Sequence, residues 1–76
     1  MEKPDYKKMG MEIKIRRLNA EITQHELSRM IGVSQSHLCN VENGRLSPSL
    51  SLLLSLRRIL GCSIDELVIG TGDDLR

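Results

Sequence analysis

The stretch that most constrains this chain runs from Thr23 to Asn43, where start and stop signals leave room for two short helices and one tight turn. Thr23 is placed to cap the first helix, and Glu26, three residues on, supplies the returning half of a capping box. Ile22 and Leu27 fall where a hydrophobic staple forms, and Leu27, Met30 and Ile31 recur at helical spacing. Gly32 is suited to the positive φ of a sharp stop, so this helix is expected to end at about Ile31. Ser34 then caps a second helix, with Val33 and Leu38 as its staple. On that helix Leu38 and Val41 share one side, while Gln35, Ser36 and Asn40 point another way. Two helices joined by a glycine turn form a helix-turn-helix, whose second helix is narrow enough for the DNA major groove. The segment Ser34 to Asn43 is therefore expected to read DNA.

A chain of 76 residues is one small domain. Below roughly 80 residues a single core supplies only about 3–5 kcal/mol, so a partner or staple usually helps. The two cysteines, Cys39 and Cys62, come with no signal peptide and no bilayer-spanning apolar run. Free thiols in a reducing, cytoplasmic setting are expected, with no membrane association. Tyr6 is the only aromatic residue, so the core must be built from Leu, Ile, Val and Met, which suits an all-α fold. The net charge is only +1, but it is unevenly spread. Through Arg58 there are ten basic against six acidic side chains, and the acidic excess lies after that point. Phosphate attraction is thus available but modest, and a shallow salt dependence follows.

Residues 1–9 are charged, contain Pro4 and show no periodicity, and are expected to form a flexible arm. The first helix is expected from about Met11 to Ala20, with Ile13, Arg17 and Ala20 on one face and Ile15 and Leu18 flanking it. An arginine on an apolar face needs a partner, because an unpaired buried charge is very costly. Glu42 is the candidate. After Gly44, Pro48 bars helix continuation, and Ser49, or Ser47 with Pro48 at the first helical position, caps a helix from Leu50 to Leu60. That helix is apolar nearly all round, which points to burial on most sides and hence to a homodimer. Leu52, Ile59 and Val68 are the interface candidates. Gly61, a Ser63–Glu66 capping box and a Cys62–Leu67 staple give a short last helix to about Ile69. The domain is expected over residues 10–70, with a tail at 71–76.

Five strings in order carry a resemblance: Ile22–Leu27, Ile31–Ser36, Val41–Gly44, Pro48–Leu50 and Leu60–Leu67. From about Met11 to Val68 the chain resembles the Cro and phage-repressor type of helix-turn-helix regulators, also called the xenobiotic-response-element family. The resemblance implies a five-helix lambda-repressor-like domain that binds a roughly palindromic operator as a homodimer. It implies base reading by Gln35, Ser36 and Asn40. It also implies backbone contacts from Gln24, Asn43 and Arg45, with Thr23 and His37 completing that set, and an internal ion pair of Arg17 with Glu42. An amide at Gln35 can bond adenine N6 and N7 together, a contact worth about 1–3 kcal/mol of discrimination. Two positions depart from the family pattern. Glu21 stands where glycine is common and would lengthen the first helix, and Arg57 replaces a small residue in the middle of the fourth.

Other classes find little footing. No paired-carboxylate cleft, nucleophile elbow or glycine-rich phosphate loop is present, and the chain is too short to wall a substrate pocket, so no enzyme, cofactor or small-molecule substrate is expected. His37 and Cys39, two apart, lie on different sides of a helix and make no tetrahedral metal set. The expected function is a DNA-binding transcriptional regulator, a repressor. The alternative is a protein-interaction module, an antitoxin or co-regulator partner, built on the same fold.

Overall fold

The structure is a computed structural model and describes residues 5–68. Four helices, α1 (Tyr6–Asn19), α2 (Gln24–Ile31), α3 (Gln35–Glu42) and α4 (Leu50–Leu60), precede a five-residue helical segment, α5 (Ile64–Val68). No strand occurs among the described residues.

Helix α1 begins five residues before the start expected near Met11. Asp5 caps it, its carboxylate accepting from the Lys8 amide at 3.1 Å. Met9 then enters the core one turn ahead of Ile13 and two turns ahead of Arg17. Residues 5–9 of the expected arm are therefore a cap and the first turn of a helix. The rest of that arm, residues 1–4, and the tail at 71–76 lie outside the described residues. Gly10 is the reason the helix can run through here. A Cβ at this position would overlap the carbonyl oxygens of Val41 and Glu42 on α3, so the crossing of α1 and α3 needs a residue with no side chain.

The end of α1 corrects the expectation for Glu21. Rather than lengthening the helix, Glu21 terminates it in the left-handed region at φ +59°. The Ile22 amide reaches back to the Arg17 carbonyl at 3.2 Å and the Glu21 amide to Leu18 at 3.0 Å, which is the Schellman pattern with glutamate in the glycine position. Ala20 is exposed and leaves the buried face to Ile13 and Arg17.

Both helices of the central motif are capped as their local sequence dictates. Thr23 accepts from the Glu26 amide at 3.0 Å while the Glu26 carboxylate accepts from the Thr23 amide at 2.8 Å. Gly32 stops α2 at φ +76°, and Ser34 accepts from the His37 amide at 3.0 Å to start α3. Met30, expected on the apolar face of α2, is exposed; Leu27 and Ser28 are the buried residues of that helix. The Ser28 hydroxyl donates to the His25 carbonyl at 2.7 Å, which satisfies it inside the helix.

Ser49 caps α4 and Gly61 ends it at φ +69°. This helix packs against α1, α2 and α5, so most of its apolar surface finds partners within one chain. Leu52, expected at a dimer interface, is a core residue at 6% exposure, together with Leu53 and Leu56. Ile59 is half-buried against the same core, and the side chain of Val68, which ends α5, lies outside the described residues. Leu50 and Leu54 are the leucines of α4 left exposed. Arg57 is also exposed, so its charge stays in water and costs the core nothing. The core is completed by Leu38, Val41, Cys62 and Leu67.

Candidate nucleic-acid interface

Helix α3 is held on one side and open on the other. Leu38, Val41 and Glu42 are buried, whereas Gln35, Ser36 and His37 are exposed and Asn40 is half-buried. The open side is lined by amides, a hydroxyl and an imidazole, a set that offers donors and acceptors to base edges and phosphates. Beyond the helix, Asn43 caps it and donates from Nδ2 to the Cys39 sulfur at 3.4 Å. Arg45 donates from Nη1 to Asn40 Oδ1 at 3.3 Å, and its amide bonds the Asn40 carbonyl at 2.8 Å. Asn40 and Arg45 are thus joined at the C-terminal end of α3, where Asn43 is the cap. Gly44, at φ +78°, folds this end back against α1, so close that a Cβ would sit 2.7 Å from Lys7 Cα.

The N-terminal end of α3 meets the start of α2 through side chains. Gln35 Nε2 donates to Gln24 Oε1 at 3.4 Å, and Gln24 Nε2 donates to Glu42 Oε1 at 3.0 Å. Glu42 in turn is clamped by Arg17, with Nε at 2.8 Å from Oε2 and Nη2 at 3.1 Å from Oε1. The third Arg17 branch, Nη1, donates to the Ile22 carbonyl at 2.9 Å, just before the Thr23 cap. Both charged side chains are almost wholly shielded from water, and the fork geometry leaves no lone charge behind. The pair therefore fixes α1, the α1–α2 turn and the C-terminal end of α3 as one unit beneath the exposed amides.

Thr23 and Gln24 stand at the N-terminus of α2, where amide dipoles favour an anion. The bonds from Thr23 to Glu26 hold that carboxyl below the usual glutamate range, so the cap itself carries negative charge at neutral pH. In the capping box that opens α5, bonds from Ser63 and the nearby Arg16 do the same for Glu66. Among the described residues no three His, Cys, Asp or Glu side chains converge as a metal site. Cys39 and Cys62 are free thiols, the first half-buried and the second buried with its pKa pushed up by desolvation. No helix of the described residues is long and apolar enough to cross a membrane.

Two participants are poorly marked in the sequence. Gly10 sets how closely α1 approaches α3, and only the spacing of Met9, Ile13 and Arg17 hints that it lies inside a helix. Gln24 joins the buried pair to Gln35, a role that no local pattern signals.

The chain belongs to the helix-turn-helix family, which matches residues 13–67, and within it to the Cro and phage-repressor type. The ImmF control region 10 kDa protein of Bacillus phage phi105 is 32% identical over 63 residues, covering 83% of this chain and 70% of that protein. An HTH-type transcriptional regulator of Methanocaldococcus jannaschii is 29% identical over 66 residues, covering 87% of this chain and all of that one. Among solved structures, the P22 c2 repressor in complex with a synthetic operator superimposes with a TM-score of 0.76 at 37% identity, covering 82% of this chain and 94% of that one.

Proposed function

We infer that the chain is a transcriptional regulator that binds double-stranded DNA in a sequence-specific way. The observation that carries this reading is the exposure of Gln35, Ser36 and His37 on a helix whose opposite side, Leu38, Val41 and Glu42, is locked into the core. A helix so held keeps its polar side chains in fixed positions, which is what reading base edges demands. In this reading α3 lies in the major groove, Gln35, Ser36 and Asn40 face bases, and Thr23, Gln24, His37, Asn43 and Arg45 touch the flanking backbone. The likeness to a repressor solved on an operator supports the same placement.

The domain is a five-helix lambda-repressor-like unit with α5 as its last helix, and it acts as a homodimer on a roughly palindromic operator, as a repressor. Helix α4 gives the dimer less apolar surface than its sequence suggests, since Leu52 is taken by the core; Leu50 and Leu54 are what it still offers.

Titration of labelled duplex DNA across a salt series tests the function. Binding is expected to weaken by about 10- to 100-fold between about 50 and 200 mM salt, as befits a few neutralised phosphates. Gln35→Ala is expected to relax base preference at one position per half-site and leave the salt slope unchanged. Absence of salt-sensitive binding to any duplex would favour a protein-interaction module instead.

A further inference from the structure

We propose that Lys7, in the first turn of α1, binds a DNA phosphate next to those met by Asn43 and Arg45, so that α1 is part of the nucleic-acid interface as well as its support. The proposal rests on the reading of α3 as a major-groove helix whose C-terminal end meets the DNA backbone. The start of α1 is firmly built. Asp5 caps it, accepting from the Lys8 amide at 3.1 Å through its carboxylate and from the Met9 amide at 3.0 Å through its carbonyl. Met9 is buried and Tyr6 packs against the same core, which leaves Lys7 and Lys8 on the outside of a fixed turn.

Gly44 singles out Lys7 from its neighbour. The loop that leaves α3 is tied down where the Gly44 amide donates to the Val41 carbonyl at 3.1 Å and the Arg45 amide to the Asn40 carbonyl at 2.8 Å. It crosses α1 so closely that a Cβ on Gly44 would meet Lys7 Cγ at 2.9 Å as well as the Lys7 backbone. The foot of the lysine side chain therefore lies against the residue that separates Asn43 from Arg45. From there a flexible four-carbon stem carries an ammonium with three donors, and the residue is exposed, so the charge is free to turn to a phosphate at that loop. Among the described residues the ion pairs join Arg16 to Glu12 and Glu66 and Arg17 to Glu42, and none engages Lys7. The interface needs this charge. Of Thr23, Gln24, His37, Asn43 and Arg45, only Arg45 is a permanent cation. Each neutralised phosphate adds about 0.9 to the salt slope. With Arg45 alone in each copy of a dimer, affinity falls about tenfold between about 50 and 200 mM salt; with Lys7 beside it, the fall is about a hundredfold.

The test measures the affinity of the full chain and its variants for one duplex across that salt range. Lys7→Gln keeps helix propensity and removes no core contact. It is expected to reduce the fall from about a hundredfold to about tenfold, a loss of about 1.8 in slope for the two copies of a dimer, with base preference unchanged. Lys7→Arg is expected to keep the parent slope. Arg58→Gln removes the same charge from an exposed site on α4 and is expected to keep it too. A Lys7→Gln chain with the parent slope would overturn the contact while leaving DNA reading by α3 intact. Equal losses of slope in Lys7→Gln and Arg58→Gln would overturn it as well, because net charge alone would then explain both. A parent chain with no salt-sensitive binding to any duplex would remove the reading of α3 itself, and this proposal with it.

Discussion

Glu21 and Gly10 show how much of this small domain turns on single backbone positions. Glu21 closes α1 from the left-handed region, a conformation that costs a residue with a Cβ about 1–2 kcal/mol. Glycine is free of that cost but gives up about 0.5–1 kcal/mol in unfolded-chain entropy. Glu21→Gly is therefore expected to gain up to about 1 kcal/mol, a rise in Tm of about 4–8 °C; a lower Tm would show that the glutamate side chain contributes more than its backbone costs. Gly10 runs the other way. Alanine would improve helix propensity by about 1 kcal/mol, but its methyl group would overlap the last carbonyls of α3 and force the two helices apart. Gly10→Ala is expected to lose about 1–3 kcal/mol net, read as a lower Tm, and a neutral result would mean that the two helices cross less tightly.

At the scale of elements, the short helices are legible in the sequence because their signals are local. Thr23 with Glu26, Ser34, Ser49, and Ser63 with Glu66 each cap within three residues, and Gly32 and Gly61 stop their helices through backbone geometry alone. What is not local is harder to read. Gly10 resembles a helix breaker until the helix that crosses it is known, and so the first turns of α1 are hidden behind a charged, Pro-containing start. Periodicity marks Leu52 and Met30 as apolar but does not say which finds a partner; the core takes the first and leaves the second in solvent. The pairing of Arg17 with Glu42 follows from the cost of a lone buried charge, whereas the extension through Gln24 to Gln35 depends on how α2 and α3 meet. Removing one partner of the pair should be severe. Arg17→Met strands a buried carboxylate and is expected to cost about 3–5 kcal/mol, enough to unfold most of a domain this small. Arg17→Met combined with Glu42→Leu is expected to recover much of that, measured by denaturant unfolding. Equal stability of the single variant and the parent would mean that the pair contributes little to the fold.

For the whole molecule, the fold assigns its interior and its polar face to different tasks. The interior of Leu, Ile, Val and Met, crossed by one ion pair, ties α1 to both ends of the central motif. The polar face is left to amides, hydroxyls and few cations, in keeping with a net charge of +1. A regulator of this make-up draws less of its affinity from phosphates and more of its selectivity from base contacts than a strongly basic one does. In the proposed homodimer, the spacing between two copies of α3 supplies the remaining specificity. Selection of bound sequences from a random duplex pool puts this division of labour to the test. Base reading by a dimer should enrich a two-fold symmetric sequence with half-sites about one helical turn apart and adenine at the position Gln35 reads. A pool that remains random after repeated rounds, with DNA retained only at low salt, would contradict it.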